Sequence, residues 1–119
     1  MTSDGDFKKK EHVLKTKDFG RIYKSGRCHK KDGIVLYSRA NDMTFGRIGF
    51  SISARKVRLA STRNRIRRVF REIYRKNKNA LKPGMDIVIV VRNGPGKKFL
   101  YKDAEVAFFK LAKESGILK

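Results

Sequence analysis

The amino-acid sequence predicts a small sandwich of helices against one sheet, α+β or α/β in class. Three observations predict it. Residues 47–53 alternate apolar with small or polar side chains, as in a half-buried strand. Residues 85–92 form a β-branched, nearly continuous apolar run, as in a strand covered on both faces. Between them lies a basic segment whose apolar residues recur at the helical period. The 119 residues suit one core and are too few for two ordinary domains.

Residues 1–12 are polar, include Lys8, Lys9 and Lys10, and read as a mobile basic arm; residues 13–119 read as the single domain. Thr16 is suited to N-cap a first helix, with Asp18 in the first turn, where negative charge meets the helix dipole favourably. Phe19, Ile22 and Tyr23 share one side of it, and Gly26 is placed to stop it as a C′ residue. Residues 27–30 read as a short edge strand. In a strand from Gly33 to Arg39, Ile34 and Leu36 point one way and Val35, Tyr37 and Arg39 the other. Asn41-Asp42 marks a turn. In the strand from Arg47 to Ser53, Ile48, Phe50 and Ile52 point inward; Arg47, Gly49, Ser51 and Ser53 leave a shallow, open outer face. A long helix is expected from Ser61 to Lys78, capped by Ser61 or Thr62. Pro83-Gly84 precedes the strand from Met85 to Arg92, and 93–98 form a tight Gly-Pro loop. The last helix covers Tyr101 to Glu114, packing through Tyr101, Ala104, Phe108, Leu111 and Ala112.

Charge narrows the function. Lys and Arg number 31 against 11 Asp and Glu, a formal net charge of +20. Such self-repulsion calls for a polyanionic partner. With 39% hydrophobic residues, eight Phe and four Tyr, the chain has the composition of a folded domain and not of a disordered basic tail. The single cysteine, Cys28, has no partner for an internal disulfide or a CxxC zinc site, which fits a reducing, cytoplasmic setting. No apolar run approaches the ~20 residues that span a bilayer, so no membrane partner is expected.

The acids do not cluster. Asp103 and Glu105, two apart, fall on different sides of a helix, and nothing resembles the converging carboxylates of a two-metal nuclease. His12 and His29 read as surface residues in basic stretches. Asn93 to Lys98 lacks phosphate-loop spacing. No catalytic constellation and no protein metal site emerge.

Two binding surfaces do. From Arg55 to Lys76 there are ten basic residues and one acid, Glu72. Ile66, Val69, Phe70, Ile73 and Tyr74 form the buried stripe of that helix; Asn64, Arg68, Arg71 and Arg75 form the opposite one. An ordinary exposed helix would intersperse Glu, whereas guanidinium forks grip phosphate oxygens bidentately. The second surface is aromatic: Phe19 and Tyr23 lie four apart, and Tyr37 lies on an outward strand face where it could stack unpaired bases.

Thr62-Arg63-Asn64-Arg65-Ile66-Arg67-Arg68 resembles the RNR signature of the bacterial ribonuclease P protein component. LKTKDFGRIYKSG (Leu14 to Gly26), GIVLYSR and RIGFSISARKV match that family's opening helix and strands in order and spacing. The resemblance covers residues 12 to 114. It implies a two-layer αβββαβα sandwich, ribosomal protein S5 domain 2-like, with a left-handed parallel crossover. It implies that Arg63, Asn64, Arg65, Arg67, Arg68 and Arg71 contact the catalytic RNA subunit. It implies a cleft for the single-stranded 5′ leader of precursor tRNA at Phe19, Tyr23, Tyr37, Ser51, Ser53 and Lys56. The chain departs from the family pattern at Val13, where Arg is common, and at Arg58, where Gly is common.

The resemblance also implies a role. The expected function is the protein subunit of ribonuclease P, an accessory to an endoribonuclease whose RNA performs the hydrolysis with Mg²⁺ bound mainly by that RNA. One protein per RNA is expected. The competing expectation is a structural ribosomal RNA-binding protein, which has no need of an open aromatic cleft.

Overall fold

The computed structural model describes residues 16–31, 33–92 and 101–119. The elements run α1 (Thr16–Ser25), β1 (Arg27–Lys31), β2 (Ile34–Ala40), β3 (Arg47–Ile52), α2 (Ala60–Lys76), a 3₁₀ turn (Lys78–Ala80), β4 (Met85–Val91) and α3 (Tyr101–Ser115). The four strands form one sheet in the order β1-β2-β4-β3. β1 and β2 are antiparallel, as are β2 and β4; β3 and β4 are parallel, so α2 is a crossover between parallel neighbours. The architecture is α+β, and it merges the expected order with the edge strand before β2.

Paired residues share a face, so the register sorts every strand side chain. One face carries Leu36, Ile48, Ile87, Ile89 and Val91, which pack with Ile66, Phe70, Ile73 and Tyr74 of α2 and Ala104, Phe108, Leu111 and Ala112 of α3. Phe70 and Phe108 are fully buried there. The other face carries Cys28 and Lys30 of β1; Val35, Tyr37 and Arg39 of β2; Asp86, Val88 and Val90 of β4; and Arg47, Gly49 and Ser51 of β3. On that face α1 lies over β1, β2 and β4, and no described residue of α1 comes within 8 Å of β3, Cα to Cα. Ile22 is the apolar residue that α1 buries, at 1% exposure.

Several expectations need correction. The long helix starts at Ala60, and neither Ser61 nor Thr62 caps it. Leu59 occupies the N-cap in an extended conformation without a side-chain cap bond. Arg63 ties the approach to the helix instead, its guanidinium donating to the Val57 and Arg58 carbonyls at 2.8 and 3.0 Å. The helix ends at Lys76 because the Asn77 side chain donates to the Ile73 carbonyl and a 3₁₀ turn follows. Thr16 is helical and does not stand outside the helix as its cap. Gly26 does stop α1, but it is not among the glycines with positive φ. A Cβ there would lie 2.5 Å from the Ile22 carbonyl and 2.8 Å from the Ser38 carbonyl, so the close approach of the helix end to its own last turn and to β2 demands the glycine. The arm at 1–12, Val13 and the 93–98 loop lie outside the described residues.

Candidate nucleic-acid interface

The basic helix has two flanks. On the flank beside β3, Arg67 donates to the Asn64 side-chain oxygen at 3.0 Å, and Arg71 sits over the Phe50 ring, 5.5 Å from its centroid. Arg71 is half-buried and its Nε is buried without an acceptor among the described residues. Burial draws its pKa down, and the neighbouring Arg67 adds to that. This corrects the expectation that Arg71 belongs to a solvated outer stripe. Its Nε is a buried donor with no acceptor among the described residues, on a guanidinium only partly removed from water.

The outward flank carries Arg65, Arg68, Glu72, Arg75 and Lys76. Arg75 donates to Glu72 from Nε at 3.1 Å and from a terminal nitrogen, and Lys76 lies 3.9 Å from the same carboxylate. The Arg75 hydrogen bond holds the Glu72 carboxyl below the usual glutamate range. Arg75, expected on the open stripe, is therefore occupied by the one acid of the helix. Arg68 is exposed and has no partner among the described residues.

The aromatic residues assemble on the α1 face. The Tyr23 and Tyr37 rings meet edge to face with centroids 4.8 Å apart, and Phe19 lies 6.2 Å from Tyr23. Tyr23 is 41% exposed. Burial pushes the Tyr37 phenol up and the Cys28 thiol opposite it adds to this, while Arg92 pulls the other way. Beyond the aromatics β3 carries small residues on this face: Gly49 is buried and brings no side chain, and Ser51 is exposed. Ser53 is placed differently from the expectation of an open outward hydroxyl, since its oxygen accepts the Lys56 N–H at 3.3 Å and its carbonyl accepts the Val57 N–H at 2.8 Å. That turn presents the exposed Lys56.

Sequence reasoning missed what seats α1. Arg47 donates to both oxygens of Asp86, at 2.9 and 2.7 Å, and reaches Asp18 of α1 at 3.5 Å. Asn41 donates to Asp86 at 2.8 Å. Asp18 and Asp86 are 6% and 3% exposed. The Asp86 hydrogen bonds hold the Arg47 pKa above its ordinary value despite burial. The available signal was parity, which puts Arg47 and Asp86 on one face once β3 and β4 are neighbours. His29, expected at the surface, faces the α3 side and is half-buried, with Nδ1 lacking a partner among the described residues. No group of three His, Cys, Asp or Glu side chains converges among the described residues. No described helix is long and apolar enough to cross a membrane.

Comparison with known proteins places this geometry. The family model described as Ribonuclease P matches residues 7–112. The ribonuclease P protein component of Clostridium botulinum (strain Loch Maree / Type A3) is 37% identical over 110 residues, 92% of this chain and 97% of that protein. That of Clostridioides difficile (strain 630) is 36% identical over 113 residues, 94% and 97%. The Staphylococcus aureus RNase P protein structure superposes with a TM-score of 0.80 at 26% identity, covering 92% of this chain and 98% of the other. The Thermotoga maritima RNase P protein gives 0.77 at 29%, covering 87% and 96%.

Proposed function

The chain belongs to the ribonuclease P protein family, with an RNA as its partner in that complex, and on that premise we propose how its two surfaces divide the work. The α2 flanks, through Arg63, Asn64, Arg65, Arg67, Arg68 and Arg71, dock on the catalytic RNA. The face between α1 and β3, through Phe19, Tyr23, Tyr37, Ser51, Ser53 and Lys56, takes the single-stranded 5′ leader of precursor tRNA. The observation that carries this is the separation of the surfaces, with exposed guanidinium groups on one layer and an open aromatic ledge on the opposite face of the sheet.

Hydrolysis belongs to the RNA, with Mg²⁺ held mainly by RNA. The protein contributes charge neutralisation and substrate positioning, binding energy that an accessory subunit adds to the catalyst. Bases of the leader stack on Tyr37 and Tyr23 while Lys56 holds a phosphate. Arg63 contributes mainly by fixing the 57–58 backbone at the helix start. One protein per RNA and a cytoplasmic site of action complete the reading.

The test is leader cleavage by the cognate RNA at low Mg²⁺, with and without the protein. The expected result is a clear gain in rate with the protein; no gain over RNA alone overturns the reading. A structural ribosomal RNA-binding protein would bind ribosomal RNA and give no such gain.

A further inference from the structure

α1 has a second flank. Phe19 and Tyr23 project to one side of Ile22, and Arg21 lies on the other. There a cavity of about 260 Å³ is lined by Asp18, Arg21, Arg39, Asn41, Met43, Arg47 and Asp86, between α1 and the β2–β3 turn. Three guanidinium groups face two carboxylates. The ion pairing is already settled among four of these residues. Arg47 takes both oxygens of Asp86 and contacts Asp18, and Asn41 donates to the Asp86 oxygen that also accepts from Arg47 Nε.

Arg39 is the cation left over. It pairs in register with Asp86, the natural cross-strand partner for its charge, yet that carboxylate is occupied by Arg47 from the other neighbouring strand. Arg39 is half-buried, so its charge is only partly hydrated. Arg21 of α1 faces the same cavity. Neither guanidinium has a hydrogen-bond or ion-pair partner among the described residues. Two unmatched forks across a groove, one on a helix and one on a strand, suit a tetrahedral anion with several acceptor oxygens.

We propose that Arg21 and Arg39 form a phosphate subsite for an RNA backbone on the far flank of α1, separate from the aromatic ledge and from α2. The inference rests on the RNA-binding reading above and adds a third contact region to it. The strand engaged there passes on the side of α1 away from Tyr23 and Tyr37. α1 is thus held between two stretches of RNA, one contacted through bases and the other through its backbone.

The experiment compares the full-length wild type, R21A/R39A and R21K/R39K. Each is titrated with catalytic RNA alone, and each reconstituted complex with precursor tRNA and with leaderless mature tRNA, over a range of salt. For R21A/R39A, Kd for at least one RNA rises about tenfold, and the log–log salt slope becomes shallower by about 0.7–0.9, the value for one lost phosphate contact. R21K/R39K keeps most of the salt slope. Loss with catalytic RNA alone assigns the phosphate to that RNA, and loss only with both tRNAs assigns it to the tRNA body. The Arg47–Asp86–Asp18 pairing survives in both variants, so the thermal midpoint stays near wild type. Unchanged affinity and slope for all three RNAs overturn the subsite while leaving leader cleavage by the wild type intact. Failure of the wild type to stimulate cleavage overturns the broader reading instead.

Discussion

The two faces of the sheet are held by different physics. On the α2 and α3 face, Leu36, Ile48, Ile87 and Ile89 meet Ile66, Phe70, Ile73, Phe108 and Leu111 in one continuous apolar core. On the α1 face, Ile22 and its neighbours Val35 and Val88 are buried, and the rest of the seat is the ion network of Asp18, Arg47 and Asp86. Dispersion and apolar burial are cumulative and non-directional. A buried ion network has few members, each of which is needed. The comparison assigns the stability of the domain to the first face and leaves the second free to expose aromatics and cations. In such an arrangement α1 opens at lower free energy than the sheet.

The largest expected effect tests the first half of that statement. Phe70→Ala removes a fully buried ring from the centre of the core. The expected cost is ~3–5 kcal/mol, enough to unfold much of a small domain. Urea unfolding followed by circular dichroism checks it; a cost under about 1 kcal/mol would break the assignment. Arg47→Ala tests the second half. It leaves Asp86 buried with its paired cation gone and removes the contact that ties Asp18 of α1 to β3, at roughly 3 kcal/mol. Hydrogen exchange is the discriminating measurement. Amides of α1 should gain exchange well before those of α2 and β4, and uniform loosening would mean that the two faces are not separable.

The core face was legible in the sequence because its signal is periodic. Ile66, Val69, Phe70, Ile73 and Tyr74 announce a buried helical stripe, and Ile48, Phe50 and Ile52 announce a strand. The α1 face was legible only in its aromatics. The network was not, because Asp18, Arg47 and Asp86 lie 29 and 39 residues apart and carry no local pattern. Strand parity could have put Arg47 and Asp86 on one face, but not the neighbourhood of β3 and β4, which follows from the crossover. Helix ends were read least well, since the helix starts at Ala60 after Leu59 with no Ser or Thr cap, and its approach is tied by the Arg63 guanidinium donating to the Val57 carbonyl. On α2 the even basic stripe divides. Arg71 turns over Phe50 and Arg75 turns to Glu72, contacts set by side-chain reach that spacing does not encode.

A smaller effect sharpens what the exposed face is for. Tyr37→Leu keeps apolar bulk on β2 and removes the ring that meets Tyr23 edge to face. Stability should change by less than about 1 kcal/mol, because the site is only half-buried. Affinity of the reconstituted complex for precursor tRNA should fall by ~1–2 kcal/mol, one lost stacking surface, with mature tRNA unaffected. Equal losses for both substrates would remove the ledge as a leader site.

The smallest effect concerns the one acid on α2. Glu72 is drawn below the ordinary glutamate pKa by its hydrogen bond from Arg75, and then by Lys76. A carboxylate depressed on folding contributes stability above its unfolded pKa and loses it as the pH falls through the folded one. Its side chain is 40% exposed, so solvent screens the pair, and the contribution is a few tenths of a kcal/mol at most. Glu72→Gln should therefore lower stability slightly at pH 7, and the gap to wild type should close as the pH drops below the glutamate range. The same substitution releases Arg75 and Lys76 and removes a negative charge from the RNA-docking flank. Affinity for the catalytic RNA should rise, with a salt slope steeper by about one contact. A variant less stable yet tighter-binding would show that the charge of this helix is arranged for RNA, with Glu72 kept for the folded state. If affinity is unchanged, Arg75 and Lys76 are not phosphate ligands, and the docking surface stays at Arg63, Asn64, Arg65, Arg67, Arg68 and Arg71.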